Sequence, residues 1–282
     1  MQVQARSGGP GGAAAKRRGG TAEFVEHRAY APGDDLRRVD WLAYARTGEP
    51  VIKLFRSEED AVVRLVIDCS ASLDFGEPRK IEVILRLAAA IGYMALAESE
   101  RAQVLLANAA QASAPGARGR SLSHIGPPRR GRAALPALLR ELGAADARGG
   151  GDLASAVDLV VEASPRPGLL VVLSDFFDPG PVTRALGRAR ARGHDFALIQ
   201  VVTRDEVSPT FEGDLTLMDS ESEAVIDVTM DPEAIDAYVL RFVGLVEELR
   251  GFARKHDGSY VRTLNDEPME AAVRRFVTRN ID

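Results

Sequence analysis

From residue 62 onward, short apolar runs alternate with longer stretches whose apolar residues recur at helical spacing. Val62–Asp68, Val104–Ala107, Gly168–Ser174 and Phe196–Val202 are apolar runs of strand length. The third is continuous, the mark of a parallel strand buried on both faces. Between them lie helical stretches at Lys80–Glu98, Arg132–Leu142, Asp152–Ala163 and Val182–Arg192. Lys80–Glu98 is apolar around most of its circumference, as a helix between two layers would be. Strands alternating with helices predict an α/β fold, a mostly parallel sheet flanked by helices on both sides.

The pattern changes at both ends. Residues 1–20 hold Gly, Ala and Pro with Arg6, Lys16, Arg17 and Arg18, too little apolar surface to order, so a disordered basic tail is predicted. Residues 21–60 form a denser N-terminal arm: a turn at Ala31–Asp34, a short helix capped by Asp34 or Asp35 and running through Ala45, and a strand at Pro50–Arg56. Trp41 stands here with two tyrosines, which predicts a ring filling a pocket. Beyond the 61–204 core, residues 205–282 read as a C-terminal extension packing on it. A hairpin is expected at Asp214–Met218 and Val225–Val228. A helix starts at Asp231-Pro232-Glu233, with Ile235, Val239, Phe242, Val246, Leu249 and Ala253 along one stripe. Ser259–Leu264 and Met269–Phe276 are the last strand and helix.

Composition narrows the function classes. Of 282 residues, 36 are Lys or Arg and 41 Asp or Glu, a net charge of −5 that argues against nucleic acid as main partner. The longest apolar run, Leu87–Ala97 with Gly92 inside it, is short of the ~18 residues of a membrane span. No secretory signal is legible, and the single cysteine, Cys69, fits a reducing compartment, so a cytoplasmic protein is expected.

Chemistry gathers at predicted strand ends, where open parallel sheets place their sites. V-I-D-C-S-A-S brings Asp68, Ser70 and Ser72; V-V-L-S-D brings Asp175; R-G-G-G-D brings Asp152 to a helix start. Carboxylates and hydroxyls alone are hard oxygen donors, suited to Mg²⁺, Mn²⁺ or Ca²⁺. A cation would also relieve the repulsion between the acids. Asp152 is equally an ideal helix N-cap, and Asp68, Ser70 and Ser72 could serve turn chemistry alone.

D-C-S-A-S after an apolar strand resembles the D-x-S-x-S of von Willebrand factor A domains, whose metal-ion-dependent adhesion site (MIDAS) binds Mg²⁺. The upstream block R-A-Y-A-P-G-D-D-L-R-R-V-D-W-L-A-Y-A-R-T-G, with Tyr30, Gly33, Asp34, Arg37, Asp40, Trp41 and Arg46, resembles the signature of the bacterial domain of unknown function 58 (DUF58) family. That resemblance implies a von Willebrand factor A-like, Rossmann-type sheet and a MoxR-type AAA+ ATPase, or its client protein, as partner. It also implies a metal held by Asp68, Ser70, Ser72 and Asp175, with a coordination position left for an acidic group of the partner. Such sites usually offer a Thr in a G-G-T-D-L run; here Gly151 takes its place, which weakens the expected site and leaves water or Asp152 to substitute.

Other chemistries are less well served. No P-loop and no G-x-S-x-G elbow occurs, and His27, His124, His194 and His256 are scattered. Cys69 reads as a small core residue, and the basic runs Arg129–Arg132 and Arg184–Arg192 as solvated surfaces. The expectation is a non-enzymatic protein–protein interaction module with a degenerate metal site. The alternatives are a metal-dependent phosphohydrolase and a metal-free structural scaffold.

Overall fold

The computed structural model describes residues 23–31, 39–56, 62–108, 122–164, 166–211, 213–218 and 225–279. They fall into two units, one within residues 3–60 and one from residue 61 onward. The basic tail and the turn residues Gly33, Asp34 and Arg37 lie outside the described residues.

In the first unit β1 (Glu23–Ala29) pairs antiparallel with β2 (Val51–Arg56), with α1 (Trp41–Thr47) between them in sequence. The helix starts later than the turn residues suggested. Asp40 caps it, its Oδ1 accepting from the Leu42 and Ala43 N–H groups at 3.1 Å, and Gly48 at φ 74° ends it in the left-handed region. Trp41 does not fill a pocket: it is 59% exposed and meets Tyr44 edge-on. Arg46 returns its Nε to the Leu42 carbonyl within the same helix, and the Tyr30 N–H donates to the Pro50 carbonyl.

The second unit is built on a seven-stranded sheet. Its parallel strands are β3 (Val62–Asp68), β4 (Arg101–Ala107), β7 (Leu169–Ser174), β8 (Asp195–Val202) and β11 (Ser259–Leu264), in spatial order β11-β8-β7-β3-β4. Two short strands, β5 (Leu122–Ile125) and β6 (Arg129–Arg130), pair antiparallel with β4. All seven residues of β3 and all six of β7 are buried, as a strand covered on both faces requires.

Alternate residues of these strands feed two cores. Val63, Leu65 and Ile67 face α2 (Lys80–Ala97), α3 (Leu135–Leu142) and α8 (Met269–Arg279), with Leu87, Leu138 and Phe276 fully buried among them. Val66, Leu170 and Val172 face α4 (Leu153–Ala163), α5 (Pro179–Ala191) and α7 (Pro232–Lys255), whose Phe242, Val246, Leu249 and Ala253 form the stripe read from the sequence. The segment from residue 205 therefore supplies an edge strand and a helix on each face. The remaining elements are α6 (Arg204–Val207) and the antiparallel pair β9 (Gly213–Met218) and β10 (Val225–Met230). Among the described residues no helix is long and apolar enough to cross a membrane. The basic runs are paired at the surface, Arg188 with Asp158 and Arg190 with Asp195.

Candidate functional site

The parallel strands β3, β7 and β8 all end at one edge of the sheet, and the loops leaving them carry the polar groups. β3 delivers Asp68, 5% exposed, and the chain turns at once into a short 3-10 segment, Ala71–Leu73. Asp68 Oδ1 accepts from the Ser70 N–H at 2.9 Å, and Oδ2 accepts from the Ser174 hydroxyl at 2.6 Å. Burial, and then the charge of Asp175, push the Asp68 carboxyl up to about 6. Ser70 and Ser72 hydroxyl oxygens stand 3.0 Å apart. Between Asp68 and Ser70 in sequence, Cys69 is a core residue: burial first, and then Asp68, raise its thiol to about 12, which leaves it protonated at neutral pH.

β7 ends in Ser174-Asp175, and the turn beyond is tight. Phe176 is buried at φ 54°, a conformation costly for a large side chain, and its N–H donates to the Ser174 hydroxyl at 3.0 Å. The Asp175 carbonyl accepts from Gln200 Nε2 at 2.7 Å, and Gln200 Oε1 accepts from the Tyr260 hydroxyl at 2.6 Å. Asp175 is thus held through its backbone by β8 and β11.

Its carboxylate is not free. Lys80, the first residue of α2 and 1% exposed, donates from Nζ to Asp175 Oδ2 at 2.8 Å and to Glu206 Oε1 at 2.5 Å. The ammonium also lies 5.3 Å from the centroid of the Phe177 ring. Glu206 closes a capping box on α6, its other oxygen accepting from the Thr203 N–H at 2.7 Å. A lysine at a helix N-terminus opposes the dipole by about 0.3–1 kcal/mol. Leaving a buried charge unpaired costs about 3–5 kcal/mol, so the carboxylates decide where this lysine points.

The third loop packs directly against the first. The Ala71 N–H donates to the Gly149 carbonyl at 2.8 Å and the Arg148 N–H to the Cys69 carbonyl at 3.0 Å. A Cβ on Gly151 would stand 3.0 Å from both Asp68 Oδ1 and Ser70 Cβ. Asp152 caps α4, accepting from the Ser155 N–H at 3.0 Å.

These distances test the fit of a divalent ion. The Ser70–Ser72 separation matches the ~3 Å between adjacent ligands of an octahedral Mg²⁺ with bonds of ~2.1 Å, so the near half of a shell is there. The far half is not. Gly151 offers no hydroxyl, one Asp152 oxygen caps its helix, and Asp175 gives one oxygen to an ammonium that it shares with Glu206. The residues present do not make up the shell that the resemblance implies.

Of the residues singled out from the sequence, Asp68, Ser70, Ser72 and Asp175 come together at this edge, with Asp152 at its rim. His124 lies on β5, His194 before β8 and His256 at the end of α7. Three participants escaped the sequence reading: Ser174, Lys80 and Glu206. Lys80 had a legible signal, being the one cation on the apolar stretch Lys80–Ala97 apart from Arg86. Glu206, in T-R-D-E, carries no signal in the sequence beyond that of a helix cap.

Residues 26–241 match the family described as protein of unknown function DUF58. An uncharacterized protein of Mycobacterium tuberculosis (strain H37Rv) is 35% identical over 222 residues, covering 77% of this chain and 66% of that protein. The chain thus spans just under two thirds of the relative's length. An uncharacterized Mycobacterium avium protein is 34% identical over 88 residues, 31% of this chain and 52% of that one. Among solved structures, the conserved hypothetical protein BatB from Bacteroides thetaiotaomicron aligns with a TM-score of 0.48 at 13% identity, over 79% of this chain and all of that one. A von Willebrand factor type A protein from Catenulispora acidiphila aligns with a TM-score of 0.42 at 13% identity, over 82% of this chain and 43% of that one.

Proposed function

We propose that this chain, which belongs to the DUF58 family, is a non-enzymatic protein-interaction module that docks its partner on the strand-end edge of the sheet. The observation that carries this reading is the pairing of a buried polar floor with exposed aromatic rings. Phe75 and Phe177, 48% and 41% exposed, leave the loops after β3 and β7. Both residues contact Lys80, whose backbone N–H donates to the Phe75 carbonyl at 2.9 Å and whose ammonium lies 5.3 Å from the centroid of the Phe177 ring. Exposed aromatic rings beside a desolvated polar cluster are the kind of anchor around which interface energy concentrates.

The partner follows from the family resemblance: a MoxR-type AAA+ ATPase or a client that the ATPase acts on. Catalysis by the site itself is disfavoured by its chemistry. Both Asp68 oxygens already accept hydrogen bonds, from the Ser70 N–H and the Ser174 hydroxyl. The Ser70 hydroxyl is shared between the Ser72 hydroxyl at 3.0 Å and the Asp68 carboxyl, without the imidazole that activates a serine nucleophile.

The test is a pull-down of a MoxR-type ATPase from the same organism with the full chain, in buffer containing Mg²⁺ and nucleotide. Phe75→Ser with Phe177→Ser should weaken capture at least tenfold, while Arg184→Glu on α5 should leave it unchanged. Capture insensitive to the phenylalanines and lost with Arg184→Glu would move the interface to another face. Turnover of a generic phosphoester, lost in Asp68→Asn, would replace this reading with the phosphohydrolase.

A further inference from the structure

The arrangement around Lys80 points beyond a docking edge. In a strand-end site of the kind this loop resembles, a bound cation would hold carboxylates from separate loops together. Here the same task falls to a side chain. Asp175 comes from the loop after β7, Glu206 from α6 after β8, and the ammonium between them is rooted at the start of α2, after β3. Two further bonds tie neighbouring loops in: Ser174 reaches across to Asp68, and Asn265, after β11, donates to the Pro78 carbonyl at 2.6 Å, two residues before Lys80.

From this we infer that Lys80 is the built-in cation of the strand-end site, its ammonium taking the place of a divalent metal and making the edge independent of one. Three observations converge on it. The ammonium is buried and bonded to two carboxylates from different loops. Gly151 removes the hydroxyl that would complete a shell, and a Cβ there would press on Asp68 and Ser70. Asp152, the other substitute, already caps its helix through Oδ1. A divalent ion arriving beside Asp68 would have to share Asp175 with the ammonium already bonded to its Oδ2, so the attraction that concentrates Mg²⁺ at paired carboxylates is weakened. The inference concerns the chain alone and holds for any partner.

Thermal melting of the full chain in EDTA, in 5 mM Mg²⁺ and in 5 mM Mn²⁺ tests it, with wild type beside Lys80→Met and Lys80→Ala. The wild type is expected to melt at the same temperature in all three. The lysine variants should melt lower in EDTA and recover several degrees with Mn²⁺, since removing the ammonium leaves Asp175 and Glu206 to share a cation. A rise of several degrees in the wild type would overturn the inference. So would variants that fold but gain nothing from Mn²⁺, because Lys80 would then not occupy a place a metal can take. If neither variant folds, the loss of the free Mn²⁺ resonance on titration into wild type decides alone. Binding tighter than millimolar overturns the inference, and its absence supports it.

Discussion

Lys80 Nζ and Asp175 Oδ2 meet at 2.8 Å in the interior although 95 positions separate them in the chain, and this ion pair fixes the start of α2 to the end of β7. Lys80→Met removes the charge and keeps most of the stem. It should cost about 3–5 kcal/mol, because buried Asp175 and half-buried Glu206 lose their partner. Asp175→Asn should cost less, since Glu206 still pairs with the lysine. In urea unfolding the double variant should fall short of the sum by about 0.5–3 kcal/mol. Additive losses would show that the two side chains do not depend on each other.

Gly151 gives a prediction of opposite character. Gly151→Thr restores the hydroxyl of the related motif, but its Cβ lands 3.0 Å from Asp68 Oδ1 and Ser70 Cβ. The loop must shift, so the substitution is expected to destabilise by about 1–3 kcal/mol in chemical denaturation. Gly151→Ala should lose a similar amount. A stabilised threonine variant would mean that the loop has room the structure does not show.

Glu100 titrates against the fold. Its carboxyl sits beside Ile91, Met94, Ala95 and Phe276, and one oxygen is buried without a hydrogen bond. Burial, and then the charge of Glu98, raise it to about 7. A raised carboxyl contributes stability below its unfolded value of 4.5, and that contribution is lost as pH rises through about 7. Glu100→Gln should therefore be more stable than wild type at pH 8, by of order 1 kcal/mol given the half-open surroundings, with the gain gone by pH 4. A gain that grows as pH falls would reverse the sign and refute the assignment.

Trp41 is exposed, and so Trp41→Ala should change stability by no more than about 1 kcal/mol, roughly the worth of its edge contact with Tyr44. The native protein should show the long-wavelength emission of a wet indole. A blue-shifted spectrum and a loss of about 3–5 kcal/mol would belong to a buried ring.

Much of this was legible in the residue pattern, for reasons that differ by element. β3 and β7 announced themselves because strands buried on both faces are apolar without interruption. α7 announced itself through Asp231-Pro232 at its start and the four-three spacing of its stripe. β1, β5 and β6 went unseen: β6 has two residues, both arginines, and β5 has four, leaving no room for a period to show. The start of α1 was misplaced because three aspartates compete for the cap and only the backbone geometry at Asp40 selects one. Trp41 was misjudged on residue type alone. At the site, the D-x-S-x-S loop and Asp175 were visible as strand-end carboxylates and hydroxyls, but Lys80 was not. A lysine at a helix start reads as a solvated charge until the fold shows which carboxylates, 95 and 126 positions away, close over it.

The most direct measurement is hydrogen–deuterium exchange of the full chain alone and with a MoxR-type ATPase bound in Mg²⁺ and nucleotide. Slowed exchange is expected in residues 69–79, 175–179 and 203–208, the loops that leave β3, β7 and β8 around Lys80, with α5 and the β9–β10 pair unchanged. Protection confined to α5 or to β9–β10, with the strand-end loops exchanging as in the free chain, would contradict docking at this edge.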